Sequence, residues 1–265
     1  MYRDLRDIAV ENKKIVSQNY YLKDGRRIDF VHSLKEHQSV IVVSPSVLSS
    51  AVLPAPLHDS FCKISVINDD SFAVPCDVVM NFANAYHPGG GYLSGARAQE
   101  EALCRQSTLY ASISSSAARV MYDANLHSSS VFNTAYMLLS PCVEVFRDGD
   151  NNLLPSTRTT AVLTLAAPNL LYDPKVRGIT MAELDDYMVN RLYQFFLICF
   201  LHGYRTICTG AWGCGAFGHD AARVASYFHT VIYQKGMGKY FDSILFAVKT
   251  GRDPYNYDAF KHVFG

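Results

Sequence analysis

The sequence has 265 residues, of which 49% are hydrophobic, so it is long and apolar enough to bury a substantial core. Its 24 basic and 24 acidic residues give a formal net charge of +0 at pH 7. This balance excludes a strong overall attraction to nucleic acid or to an anionic membrane, so we predict neither as a partner. Any recognition of phosphate must be local.

The cysteines and the start of the chain indicate the compartment. Seven cysteines are scattered along the chain, and several lie in apolar runs, which is typical of buried reduced thiols. The first residues are too charged for a secretory signal, and no apolar run approaches the ~20 residues of a membrane span. We predict a soluble intracellular protein of the cytoplasm or nucleus, and we expect a monomer.

Residues 1–60 differ in character from the rest. We predict a helix over about 3–17, hairpin-like structure around Lys23, Asp24 and Gly25, and a loop across 45–58, where three prolines occur. We interpret 1–60 as an accessory region that packs on the remainder of a single domain spanning 1–265.

From residue 61 the pattern alternates between strands and helices. The helical pattern is clearest where apolar residues recur every three or four positions before Gly203, and Asp220 is a suitable N-cap for a later helix. Apolar and β-branched runs predict strands at 61–68, 77–84, 160–166, 206–210 and 243–249. The residues of the helical face are Leu184, Met188, Leu192, Phe195 and Cys199.

Two strands lead through glycine-rich loops into helices. The first loop contains Gly89, Gly90 and Gly91, before a helix that begins near Ala98. The second contains Gly213, Gly215 and Gly218, before a helix that begins near Ala221. Because ligands bind beyond the carboxyl ends of strands and anions favour helix N-termini, two such loops facing one crevice could hold a diphosphate.

Two adjacent acids, Glu100 and Glu101, follow the first loop. Such a pair can supply a proton donor and an orienting acceptor to one reacting bond. Taken alone, both residues are better explained as first-turn helix acids that complement the macrodipole. The three preceding glycines favour ligand contact, because a tight turn would need only one.

The segment as a whole resembles the signature of microbial-type poly(ADP-ribose) glycohydrolases, in which Gly-Gly-Gly is followed after a short gap by Gln-Glu-Glu. Here these are Gly89–Gly91 and Gln99, Glu100 and Glu101, and the likeness continues through 103–110 and returns at 210–218. The resemblance implies an α/β fold: a macrodomain-like mixed sheet flanked by helices, here with an N-terminal helical extension.

The resemblance also implies the chemistry. Glycohydrolases of this type cleave the ribose–ribose O-glycosidic bonds of poly(ADP-ribose), reversing ADP-ribosylation as in the DNA damage response. By resemblance Glu101 is the catalytic acid, Glu100 orients the ribose, and ADP-ribose, its polymer and ADP-ribosylated proteins are the partners, with no cofactor. The implied substrate-binding residues are Asn84, Gly89, Gly90, Gly91, Gln99, Gly213, Cys214, Gly215, Ala216 and Phe217.

Several alternatives stay open. Asn84 can instead form an Asx turn, and Phe217 can be a core residue rather than a ring that packs on the distal ribose. The domain could bind ADP-ribose without cutting it, although a reader has no use for the acid pair, or it could remove single ADP-ribose units from protein or nucleic acid.

The sequence departs from the family pattern at two places. His219, Asp220 and Ala221 stand where Asn-Asp-Pro is expected, and Tyr86 and His87 make the approach to the first loop bulkier than expected. The histidines and cysteines show no metal-ligand spacing, so we predict no metal site.

Overall fold

The first elements are a helix and a hairpin. The structure, a computed structural model, describes residues 4–265, so the predicted helix start at residue 3 lies outside the described residues. Helix α1 (Leu5–Gln18) begins after Asp4, whose side chain accepts a hydrogen bond from Arg6 N at 2.9 Å. Strands β1 (Tyr20–Lys23) and β2 (Arg26–Asp29) then pair antiparallel, as predicted for a hairpin there.

The predicted loop across 45–58 is wrong at its start. After α2 (Leu34–His37) and β3 (Ile41–Val43), residues Pro45–Ser50 form helix α3. Ser44 caps this helix by accepting a hydrogen bond from Val47 N at 3.4 Å, and Pro45 occupies the first helical position, where an N–H is not required. Residues 51–58 contain neither helix nor strand.

The main sheet has seven strands in the order β3-β6-β7-β5-β8-β9-β4. Neighbours from β7 to β4 run parallel, and β6 pairs antiparallel with both β3 and β7. All five predicted strands are present, whereas β3 and β6 were not predicted. The strands that follow β3 are β4 (Lys63–Ile67), β5 (Val78–Phe82), β6 (Met137–Arg147), β7 (Leu153–Leu165), β8 (Thr206–Thr209) and β9 (Ser243–Ala247).

Helices cover both faces of this sheet. Two hydrophobic clusters lie on opposite faces of the sheet, because successive side chains of a strand alternate. Along β5, Val78 and Met80 face the larger one, the main hydrophobic cluster, and Val79 faces the second. The remaining helices are α4 (Gln99–Gln106), α5 (Leu109–Ile113), α6 (Arg119–His127), α7 (Met181–Leu201), α8 (Ala221–His229) and α9 (Tyr255–Phe264). The predicted face of α7 is buried throughout, and Asp220 caps α8 as predicted. Among residues 4–265, no helix is both long and apolar enough to cross a bilayer.

The N-terminal elements are tied to the sheet and to α4 through buried polar groups. Asn12 of α1 donates a hydrogen bond to the carbonyl of Arg105 at 2.7 Å and accepts one from Arg147 Nε at 2.8 Å. Arg147 also contacts Glu11, with 2.6 Å between guanidinium nitrogen and carboxylate oxygen. Helix α1 therefore supports the helix that carries the acid pair.

Candidate active site

Gln99, Glu100 and Glu101 form the first turn of α4, whose N-cap is Ala98. The Gln99 side chain is fixed on the end of β5: its oxygen accepts from Phe82 N at 2.9 Å and its nitrogen donates to the Met80 carbonyl at 2.8 Å. The helix start near Ala98 is confirmed, and the strand fixes the first turn through this amide.

Glu100 is held through both carboxyl oxygens and is only 3% exposed. One oxygen accepts from Asn84 N at 2.7 Å, and the other accepts from Asn81 Nδ2 and Gly89 N, each at 3.2 Å. Burial raises the pKa of Glu100 to about 8, against the lowering effect of these hydrogen bonds, and the nearby Glu101 carboxyl adds to the rise. Burial therefore shifts Glu100 toward its protonated form in the ligand-free protein.

Glu101 is held through one oxygen only. Its Oε1 accepts from Gly91 N at 2.9 Å, whereas Oε2 is buried and has no hydrogen-bond partner among the described residues. The side chain is 7% exposed. An unpartnered buried carboxyl oxygen is costly and is unusual unless it has a role.

The first glycine loop packs directly against the acids. Gly89 and Gly90 have φ values of +71° and +53°, in the left-handed region. A Cβ on Gly90 would lie 2.6 Å from Oε1 of Glu101, and one on Gly91 would lie 2.6 Å from the Cβ of Ala96. Packing against Glu101 and Ala96 therefore favours glycine at positions 90 and 91, whether or not a ligand also approaches them.

Asn84 lies beside the acids and forms the Asx turn that was one of its two interpretations. Its Oδ1 accepts from Tyr86 N at 2.9 Å and from His87 N at 3.0 Å. The amide nitrogen takes no part in this turn, so contact with a ligand hydroxyl stays a prediction.

The second glycine loop rests on His219. The ring of His219 is buried beneath Gly213 and hydrogen-bonds through Nε2 to the Pro168 carbonyl at 2.8 Å, and burial lowers its pKa. Gly215 and Ala216 are exposed, and Cys214 is half-buried, with Sγ 3.8 Å from the Trp212 carbonyl. His219 supports the loop from below and does not replace a residue on its exposed side.

A cleft of about 350 Å³ opens between the second loop and α4, at the carboxyl ends of β4, β5, β8 and β9. Gln99, Gly213, Gly215, Ala216 and Phe217 line it. The first glycine loop, the acids, Asn84 and Cys214 are not among the lining residues. Phe217 is half-buried and packs on the main hydrophobic cluster, so both of its interpretations have support.

Sequence reasoning missed the charged residues of this cleft. Asp69 and Asp70 follow β4 and Lys249 follows β9, and the Lys249 ammonium pairs with Asp70 at 2.8 Å. The available signal was that polar residues directly after parallel strands meet at one edge of a sheet. The signal is not sufficient alone, because β4 and β9 lie far apart in the sequence and their pairing has no local pattern.

The mixed sheet, the two glycine loops and the buried glutamate pair define a macrodomain-like hydrolase. The chain belongs to the microbial-type poly(ADP-ribose) glycohydrolases, since the family model for the microbial-type PARG catalytic domain matches residues 9–148. This confirms the predicted resemblance and the glycosidase class.

Solved structures of bacterial poly(ADP-ribose) glycohydrolases are similar to the whole chain. The enzyme from Thermomonospora curvata is 30% identical with a TM-score of 0.88, over 98% of this chain and 99% of that chain. The complex of this enzyme with the inhibitor ADP-HPD is 30% identical with a TM-score of 0.86, over 97% of this chain and 98% of that chain. The Deinococcus radiodurans enzyme in complex with ADP-ribose is 28% identical with a TM-score of 0.76, over 86% of this chain and 95% of that chain. A search of curated protein sequences found no match.

Proposed function

We propose that this protein hydrolyses the ribose–ribose O-glycosidic bonds of poly(ADP-ribose) and releases ADP-ribose mainly from chain ends. The observation that carries the proposal is the buried pair of Glu100 and Glu101, which packs against the first glycine loop with one oxygen of Glu101 unpartnered. The related enzymes solved with ADP-ribose and with ADP-HPD support a site for that ligand class.

The different environments of the two acids suggest their roles. Cleavage passes through an oxocarbenium-like state and needs a proton on the leaving oxygen and a water on the anomeric carbon. Glu101 keeps one oxygen fixed by Gly91 and leaves Oε2 for the leaving oxygen, so it donates the proton and then takes one from the water. Glu100 has both oxygens engaged and orients the ribose.

The protonation of Glu100 also favours an anionic substrate. Burial raises the pKa of this carboxyl to about 8 and so favours its neutral form, which lowers the negative charge that a diphosphate meets in the site. The second glycine loop, from Gly213 to Phe217, offers backbone N–H groups to the diphosphate. In this proposal Gln99 contacts the ligand from the wall of the cleft, and the side-chain amide of Asn84 hydrogen-bonds a ribose hydroxyl.

Phe217 carries the end-acting part of the proposal. Its half-buried ring lines the cleft. In this proposal the ring closes the cleft behind the distal ribose and leaves no exit for a continuing chain. Early products of the wild-type protein should therefore be ADP-ribose and not short oligomers.

One experiment tests the function and separates it from its alternatives. Wild type, Glu101→Gln and Glu183→Gln are incubated with radiolabelled polymer and with a mono-ADP-ribosylated protein, and the products are separated by thin-layer chromatography. Glu101→Gln should lose turnover and keep its ADP-ribose Kd within about threefold, because an amide keeps the shape but cannot deliver a proton. Glu183, a first-turn glutamate of α7, should tolerate the same change.

Each alternative has its own outcome in this assay. Polymer hydrolysis by Glu101→Gln at near the wild-type rate would overturn the role of Glu101. Release from the mono-modified protein alone would indicate a mono-ADP-ribose hydrolase, and tight binding without turnover would indicate a reader. Abundant early oligomers would contradict the end-acting mode.

A further inference from the structure

Tyr86 makes the approach to the first loop bulkier than expected, and its side chain is half-buried. Its hydroxyl donates a hydrogen bond to Oδ2 of Asp173 at 2.5 Å. The Lys175 ammonium lies 5.5 Å from the centre of its ring. Burial, together with the Asp173 hydrogen bond, raises the pKa of Tyr86, so the phenol keeps its proton and remains a donor.

Asp173 belongs to a stretch of chain, residues 168–176, that also contacts the second glycine loop. We call this stretch the bridge segment. At its beginning, Leu170 N donates to the Phe217 carbonyl at 2.9 Å. The Leu171 side chain fills the space beside Gly218, where an added Cβ would lie 2.6 Å from Leu171 Cγ. The bridge segment therefore contacts the second loop at one end and Tyr86 at the other.

The bridge segment is held by its own hydrogen bonds. The Asn169 carbonyl accepts from Asp173 N at 3.1 Å, and Asn169 Oδ1 accepts from Leu171 N and Tyr172 N, each at 3.1 Å. Lys175 Nζ donates to the Ser128 carbonyl, just after α6, at 3.1 Å. A segment fixed in this way can transmit the position of one loop to the other.

Tyr86 is equally well placed with respect to the first loop. Its backbone N–H donates to the Asn84 side chain, and Asn84 N in turn donates to Glu100. Hydrogen bonds joined by short stretches of covalent chain thus connect Glu100 through Tyr86, Asp173 and the bridge segment to Phe217.

We propose that Tyr86 is a positioning residue that, through Asp173 and the bridge segment, fixes Phe217 and the second glycine loop relative to Glu100 and Glu101. The inference rests on the proposed function and deepens it. Without the Tyr86 hydroxyl the two loops would be less well ordered before the ligand arrives, and ordering them would weaken binding. The chemistry at Glu101 would change little once substrate is bound.

The test compares Tyr86→Phe with Tyr227→Phe. Both variants keep the ring and lose one phenol-to-carboxylate hydrogen bond, because Tyr227, in α8, donates to Asp185. The Tyr227 hydroxyl also accepts a hydrogen bond from Arg223 Nε at 3.3 Å, so this control loses at least as many hydrogen bonds as Tyr86→Phe. We expect Tyr86→Phe to raise the ADP-ribose Kd and the polymer KM about five- to tenfold, which is the size of one ordinary hydrogen bond, and to change kcat by no more than about twofold. Tyr227→Phe should lower Tm without changing Kd or KM.

A second comparison asks whether Tyr86 acts through Phe217. If it does, Tyr86→Phe should add little to the loss of ADP-ribose affinity in Phe217→Ala, whereas independent effects would multiply. Asp173→Asn should reproduce the KM increase of Tyr86→Phe.

The outcomes decide between positioning and mere stability. A Tyr86→Phe protein with a lowered Tm and wild-type Kd and KM would overturn the inference, as would multiplying effects with Phe217→Ala. A wild type that binds ADP-ribose without hydrolysing polymer would remove the proposed function, and the Kd comparison would still decide the role of Tyr86.

Discussion

Gly90 is the residue where backbone conformation and the proposed chemistry meet. Its φ of +53° strains any L side chain, and a Cβ there would lie 2.6 Å from Oε1 of Glu101 and 3.2 Å from Oε2 of Glu100. We expect Gly90→Ala to reduce kcat by about a hundredfold or more, because it displaces a carboxyl that must be positioned to within about 1 Å. Steady-state kinetics on polymer, with Tm measured in parallel, checks this.

Gly25→Ala is the matched control for that substitution. Gly25 has a φ of +77° with nothing within 4 Å of an added Cβ, so alanine there brings the backbone strain without the collision. It should cost about 1 kcal/mol of stability and leave kcat unchanged. Equal kinetic losses in both variants would mean that strain, and not the displaced carboxyl, disables the enzyme.

The residue types of the site were predictable, but their contacts were not. The first-turn location of Glu100 and Glu101 followed from the strand, loop and helix pattern, and the structure places them there. That Gly91 packs against Ala96, or that His219 lies beneath Gly213, depends on how the chain turns back on itself. No local pattern contains that information.

Among the elements, β6 is attached to the N-terminal region through Glu144, whose side chain is 0% exposed. It accepts hydrogen bonds from His32 N at 2.7 Å and Val31 N at 3.1 Å, and His37 Nε2 lies 3.2 Å away. Burial alone would raise the pKa of Glu144, but these contacts and a hydrogen bond from Thr157 outweigh it and lower the pKa to about 2.

This lowered pKa predicts a stability difference that depends on pH. Because the folded-state pKa of Glu144 lies below that of the unfolded chain, the ionised carboxyl stabilises the fold above about pH 4.5, and the contribution disappears as the pH falls toward 2. We expect Glu144→Gln to lower the free energy of unfolding by roughly 3 kcal/mol at pH 7 and by progressively less below pH 4.5. Urea denaturation at several pH values measures the difference, and a difference that does not change with pH would contradict the assignment.

Strand β6 and helix α3 were not predicted from the sequence, and each omission has a physical reason. Strand β6 contains Pro141, which cannot donate to a ladder, and the β6–β7 register shifts between Ser140 and Val143, where that proline lies. Helix α3 was not predicted because Pro45 and the serines around it are typical of loops, although they are typical of helix starts as well. By contrast, α7 was predicted because its buried face has a clear helical period.

At the scale of the whole molecule, the strand order connects distant parts of the sequence. β4 pairs with β9, and β3, from the region that we interpreted as accessory, forms the opposite edge of the main sheet. Pairings between strands that are far apart in sequence are set by the packing of the complete chain and have no local signal. We therefore propose that residues 4–60 fold together with the rest of the described chain as one cooperative domain.

Asn12 offers a test of that cooperativity, because it is 2% exposed in α1 and hydrogen-bonds to both Arg105 and Arg147. Trp212, the only tryptophan, lies fully buried in the main hydrophobic cluster and reports on the packing of that cluster. We expect Asn12→Ala to lower stability by roughly 2 kcal/mol and to shift the urea midpoints of Trp212 fluorescence and far-UV circular dichroism equally, since one domain unfolds in one transition. Ser17→Ala, at an exposed position of the same helix, should shift neither midpoint. An early loss of circular dichroism with an unchanged Trp212 midpoint would instead show that the N-terminal region unfolds as a separate unit.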